Sequence, residues 1–159
     1  MYELRREMLI TAPIEEVFEF FCEPANLGKI TPKSVGFRDL TPDARPMRPG
    51  LRIIHEIRWF GMPLRWETRI EEYDPPNAFV DTQISGPYKS WRHRHSFEEV
   101  PGGTLMCDYV QYALPFGPLG AITQKLMVKR QLKHIFDYRE RTIRKLFART
   151  GSKISASLW

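Results

Sequence analysis

Apolar and polar positions alternate with period two through the middle of the chain and with helical period near its two ends. Tyr2 to Ile10 reads as a first strand. Ile14, Val17, Phe18 and Phe21 then recur at i, i+3, i+4 and i+7, which predicts a short amphipathic helix. Thr11-Ala12-Pro13 before it offers a capping hydroxyl and an early proline. Glu15 and Glu16 fall in its first turn, where the helix dipole favours them. Pro24 ends that helix, and Ala25 to Ile30 predicts a second one, stopped by Thr31-Pro32. Val35 to Leu40 reads as a strand, and Thr41 to Gly50, with three prolines, as a loop. Leu51–Trp59, Leu64–Tyr73, Ala78–Ile84, Tyr88–Glu98 and Thr104–Leu114 follow as strands parted by tight turns, an antiparallel meander. Pro115-Phe116-Gly117-Pro118 breaks it. Leu119 to Arg149 predicts one long helix, ended by Gly151 and followed by a loosely held tail. The expected architecture is α+β: a curved seven-stranded sheet wrapped around the long helix, as one domain (1–149) with a tail (150–159).

The stretch from Gly86 to Phe97 carries the chemistry. Trp91, His93, His95 and Phe97 share one face; Ser90, Arg92, Arg94 and Ser96 share the other, wet one. Two large aromatics make the first face the buried one, and buried imidazoles need partners or a cavity. A two-residue turn at Pro101-Gly102 sets Phe97 opposite Met106, His95 opposite Asp108, His93 opposite Val110 and Trp91 opposite Tyr112. Opposed residues share a face, so Met106, Asp108, Val110 and Tyr112 turn inward with Thr104. Phe79, Asp81 and Gln83 share the inward parity of the preceding strand, with Val80, Thr82 and Ile84 as the rival face; Trp66 is counted with the inner set. On the long helix, Val128, Leu132, Ile135, Phe136, Ile143, Leu146 and Phe147 form an apolar stripe. Arg139 falls near its middle, so an inward carboxylate, Asp108 or Asp81, is expected to meet it, with an acidic ligand group or snorkelling of the head into water as the alternatives.

His93, His95 and Asp108 read as an acid/base or ligand-orienting cluster, since a carboxylate beside an imidazole raises its pKa and selects its tautomer. A satisfied polar network without chemistry is the plainer alternative. A metal site is a third, with Asp108 or His55 completing His-x-His, but spacing alone is weak evidence, and neither a metal nor a cofactor is expected. Gly-x-Ser-x-Gly, a phosphate-binding loop and a dinucleotide fingerprint are all missing from the sequence. The tips Trp59–Pro63 and Pro115–Leu119 are apolar enough to guard a cavity mouth or touch a membrane surface.

Charge adds one feature. The chain carries +5, yet Ala121 to Arg149 alone holds nine basic and two acidic residues. Such a helix suits a solvated outer face, or peripheral contact with an anionic membrane; nucleic acid is disfavoured because no aromatics interleave the charges. Cys22 and Cys107 sit in element patterns and read as packing residues of a reducing compartment. No signal-peptide core and no apolar run of the ~20 residues a membrane span needs is present, so a cytoplasmic protein, monomer or weak homodimer, is expected.

Ala12-Pro13-Ile14-Glu15-Glu16-Val17-Phe18, Asn26 to Pro32, Gly86-Pro87-Tyr88 with Trp91 and His93-Arg94-His95, Gly103 to Asp108, and Pro115 together resemble the START-type helix-grip (SRPBCC) superfamily. The branch is polyketide cyclase/dehydrase and lipid transport, and the resemblance spans about residues 2–148 of this bacterial-type sequence. Ile30 stands near the place where many relatives carry a tryptophan, which implies a different cavity floor. The resemblance implies an internal cavity for a hydrophobic small molecule between sheet and long helix. It implies no single reaction, because the fold hosts carriers, receptors and enzymes. Binding as a carrier or sensor is the favoured function. A cyclase- or dehydratase-type enzyme using His93, His95 and Asp108 is the alternative, and docking on membrane or RNA through the basic helix a second one.

Overall fold

The computed structural model describes residues 1–42, 46–59, 61–115 and 121–155. The chain runs β1 (Tyr2–Ile10), α1 (Ile14–Cys22), α2 (Pro24–Leu27), a single 3₁₀ turn (Lys33–Val35) and β2 (Arg38–Asp39). The meander follows as β3 (Arg52–Trp59), β4 (Met62–Asp74), β5 (Ala78–Ser85), β6 (Ser90–Val100) and β7 (Gly103–Ala113), and α3 (Ala121–Ser155) closes it. All seven strands form one antiparallel sheet in the order β1-β7-β6-β5-β4-β3-β2. Pairing β1 with β7 joins the first strand of the chain to the last.

The expected β6–β7 register is the one observed: Trp91 faces Tyr112, His93 faces Val110, His95 faces Asp108 and Phe97 faces Met106. The strict alternation of burial along β7 follows from that pairing, because every second residue is pressed between sheet and helix. On β5, Phe79 pairs with His95 and Asp81 with His93, so the inward parity is that of Phe79 and Asp81. Ile84, on the rival face, is 43% exposed. The stripe on α3 is buried as expected at Val128, Leu132, Phe136, Ile143 and Phe147, while Arg130, Lys133, Arg141 and Arg144 are exposed.

Several boundaries differ from the sequence reading. The N-cap of α1 is Pro13 and makes no side-chain capping bond, because the helix begins at Ile14 and Thr11 lies too far upstream. Pro24 does not simply end α1; it opens α2 in the first turn, where its missing N–H is not needed. The strand expected over Val35–Leu40 shrinks to two residues, because Gly36 takes a left-handed φ of 60° and ends the 3₁₀ turn there. Gly151 does not end α3, which runs on to Ser155; a helical glycine costs about 1 kcal/mol but forbids nothing. Phe60 in one apolar tip and residues 116–119 in the other lie outside the described residues, as does the tail from 156 onward. Among the described residues, no helix is long and apolar enough to cross a membrane.

β6 starts at Ser90 rather than Tyr88 because Gln83 grips the preceding turn. Gln83 Nε2 donates to the Tyr88 carbonyl at 2.7 Å, and the Tyr88 N–H donates to Gln83 Oε1 at 3.3 Å. Gly86 makes this possible: a Cβ there would sit 2.5 Å from Gln83 Oε1 and 2.8 Å from a Trp66 ring carbon. Gly86→Ala is expected to destabilise the fold by about 1–2 kcal/mol through this overpacking. A urea melt indistinguishable from that of the parent would contradict it.

Candidate functional site

The inner face divides into three layers. Trp91 on β6, Val110 and Tyr112 on β7, and Val128, Leu132 and Phe136 on α3 form one apolar cluster with Tyr88. Phe97, Met106, Ile143 and Phe147 form another with Phe79 and the buried side of α1. Between them, at the intervening inward positions of the same strands and helix, lie His93, His95, Asp108 and Arg139, each at most 7% exposed. Strand period and helix period thus place one polar layer across the grip, with Asp81 joining it from β5.

Asp108 is the hub. Its Oδ1 accepts a hydrogen bond from His93 Nε2 at 2.9 Å. His95 Nδ1 lies 2.9 Å from the same oxygen. That approach is off the hydrogen-bonding direction, so Nδ1 has no hydrogen-bond partner among the described residues and the contact is electrostatic. Arg139 Nη1 stands 4.0 Å from Asp108 Oδ1, and its guanidinium lies over the Phe136 ring at 4.9 Å. Arg139 therefore points inward and does not snorkel. Asp81 faces the other side of the imidazoles: His95 Nε2 donates to its Oδ2 at 3.3 Å, and His93 Nδ1 is 3.7 Å away. The two imidazole rings are 3.8 Å apart, and Phe79 stacks on His95 at 4.2 Å.

These contacts push the titrations apart. For Asp108, burial alone would raise the pKa, but the hydrogen bond from His93, the contact with His95 and their charges hold it far below the carboxylate range. For Asp81 the same contest between burial and its neighbours, decided by His95 and helped by His93 and Arg139, also ends low. Burial lowers His93, and the neighbouring His95 lowers it further. Burial would lower His95 too, but its contacts with Asp108 and Asp81 outweigh that and raise it. The layer thus sets two carboxylates against one guanidinium and two imidazoles whose pKa values are shifted in opposite directions.

A cavity of about 160 Å³ opens on this layer. Trp66, Phe79, Asp81, Trp91, His93, His95, Phe136 and Arg139 line it, as expected from the inner parity. Gln83, Phe97, Met106, Asp108, Val110 and Tyr112 do not. Gln83 is spent on the Tyr88 turn, Asp108 sits behind the histidines, and the other four are packed into the apolar clusters. Other parts of the wall are Phe21 and Leu27 on the short helices, Ile30, Phe37, and His55 on β3. Phe21 had its signal in the α1 stripe, His55 in its candidacy as a third metal ligand and Ile30 in the family resemblance, whereas nothing in the sequence marked Leu27 or Phe37 as wall residues. Ile30, 2% exposed, is indeed part of the cavity wall.

The chain matches the family described as polyketide cyclase / dehydrase and lipid transport over residues 10–135. It belongs to that family. Its helix grip is similar to that of the Zhui aromatase/cyclase from Streptomyces sp. R1128, with a TM-score of 0.73 at 11% identity, covering 93% of this chain and 94% of that one. Protein TTHA0849 from Thermus thermophilus aligns with a TM-score of 0.69 at 20% identity, over 89% of this chain and 97% of that one. A nucleoside-diphosphate sugar epimerase from Corynebacterium glutamicum aligns with a TM-score of 0.64 at 23% identity, over 89% of this chain but 28% of that larger one. Among curated proteins, none matches. For this member of the polyketide cyclase/dehydrase family, family and fold together support a hydrophobic-ligand-binding or cyclase role.

Proposed function

We propose that the protein is a carrier or sensor that takes a hydrophobic or aromatic small molecule into the cavity between sheet and α3. The cavity itself supports this reading. About 160 Å³ is far more than the ~10–15 Å³ that one water needs, and it is near the ~150 Å³ that holds a benzene ring in an engineered protein core. Aromatic and aliphatic side chains make up most of its wall, with a smaller number of polar groups that include Asp81, His93, His95 and Arg139, the usual composition of a small-molecule site. The apolar wall supplies affinity, and the His93–His95–Arg139 side orients the ligand's polar end.

A second reading draws on the same polar side. His95, its pKa raised, and His93, its pKa lowered, both reach the cavity, which is the pairing a proton-transfer step would use. An aromatase/cyclase of the same fold keeps that reading, cyclisation or dehydration of an enolisable substrate, in view.

Titration with 1-anilinonaphthalene-8-sulfonate separates cavity binding from surface adsorption. We expect saturable fluorescence enhancement at one site, competed by naphthalene. Ile135 lines the cavity from α3. Ile135→Trp should fill it and weaken binding about tenfold or more, equivalent to about 1.4 kcal/mol, without loss of the cooperative melt. Unchanged binding in that variant would overturn the proposal. Conversion of a polyketide-type substrate analogue that disappears in His95→Gln would favour the catalytic reading instead.

A further inference from the structure

We propose that Asp81, His93 and His95 form a divalent metal site on the cavity wall, taking zinc or another first-row cation that prefers imidazole and carboxylate donors. One donor atom from each of the three residues falls within 4.8 Å of the others. The spacing is finer than that bound. Asp81 Oδ2 is 3.3 Å from His95 Nε2 and 3.7 Å from His93 Nδ1. Four-coordinate zinc, with bonds of about 2.0–2.2 Å, sets neighbouring donors about 3.3–3.6 Å apart. Both distances from the Asp81 oxygen thus stand near those a tetrahedral cation would impose.

The far side of the cluster supports the same assignment. Asp108 lies against the nitrogens that would not bind the metal: Nε2 of His93, hydrogen-bonded at 2.9 Å, and Nδ1 of His95, also at 2.9 Å. A buried carboxylate behind metal-bound histidines aims their rings and raises their basicity. His93 presents Nε2 to Asp108 and so leaves Nδ1 on the side of Asp81, 3.7 Å away.

The third donor is thus Asp81, not Asp108 or His55, the two that spacing alone had suggested. Asp108 is occupied behind the rings. His55 shares the cavity but stacks on Phe37 and Trp66, away from the converging atoms. Two carboxylates, Asp81 and Asp108, face the single guanidinium of Arg139 in this layer, which favours a cation. Asp81, His93 and His95 all line the cavity, so the remaining coordination position faces it. A ligand with an oxygen donor would complete the coordination there. The site does not require the organic ligand, and metal binding is read without one.

The test uses the untagged 159-residue chain, stripped with EDTA and titrated with zinc chloride or cobalt chloride. We expect one zinc per chain by equilibrium dialysis and mass-spectrometric metal analysis, and visible d–d absorption on adding cobalt. His93→Gln and His95→Gln should each abolish stoichiometric binding. Asp108→Asn should weaken it about 10–100-fold while keeping the cobalt spectrum. His134→Gln, a change at an exposed histidine on α3, should leave both unchanged. Should either histidine variant fail to fold, Asp81→Ala, at a half-buried position, serves in its place. Absence of stoichiometric metal in the parent chain would overturn the proposal, leaving a hydrogen-bonded network. So would binding that persists after removal of any of the three donors.

Discussion

Asp108→Ala is expected to lower the unfolding free energy by about 3–5 kcal/mol, the cost typical of leaving a buried charge without its partner. Asp108 is 1% exposed, and its Oδ1 is the common neighbour of His93, His95 and Arg139. Removing it takes from the Arg139 guanidinium its paired carboxylate between two apolar clusters and leaves the imidazoles with Asp81 alone. Water cannot easily replace it, because Met106 and Val110 on either side along β7 are almost fully buried. Urea unfolding should show a lower midpoint with an unchanged slope. The partner contribution is isolated by a double-mutant cycle. Arg139→Met should cost less in an Asp108→Asn background than in the parent, with a coupling of about 0.5–3 kcal/mol. Additive effects would mean that 4.0 Å is too far for this pair to matter and that Arg139 is held by Phe136 alone.

His55 should give the protein an acid-sensitive limb. Burial pushes its pKa down from 6.5 to about 4, although Asp81 and Asp39 pull the other way. The ring is packed between Phe37 and Trp66, with Nδ1 unpartnered among the described residues. The folded chain therefore keeps His55 neutral where the unfolded chain protonates it. Its contribution is fully present above pH 6.5 and is lost as pH falls toward about 4. A shift of that size corresponds to about 3 kcal/mol across the window. His55→Phe should remove this part of the pH dependence. The difference in stability between parent and variant should change steadily from neutral pH to about pH 4 and then level off. A difference that stays constant with pH would show that water reaches the ring.

The chain of local rules reaches far in this protein. Period two marks the inward face of β6 and β7, and the two-residue turn at Pro101-Gly102 sets their register. His95 therefore meets Asp108 by arithmetic alone, and the observed pairing is the same. Helical period likewise places Arg139 within the apolar stripe of α3, where it is buried. Each of these statements concerns neighbours along one element or across one hairpin, where backbone geometry dictates the answer.

Relations between distant elements were decided only in three dimensions. Parity allowed Asp81 to face inward but could not place its carboxylate on the near side of both imidazoles while Asp108 took the far side. Side-chain rotamers and the pairing of β5 with β6 decide that. Parity also could not separate residues that line the cavity from those that fill the core, since Met106 and Trp91 are both inward. Cavity space depends on how closely α2, the 3₁₀ turn and α3 approach the sheet, which is set by the sum of side-chain volumes. The same limit left the place of His55 open, which the sequence offered only as a candidate third metal ligand. Its strand, β3, is separated from β6 by β4 and β5, yet His55 shares the cavity wall with His93 and His95 through the curvature of the sheet. Sequence period assigns a residue to a face; only the packing of whole elements decides whether that face meets a neighbour or an empty space.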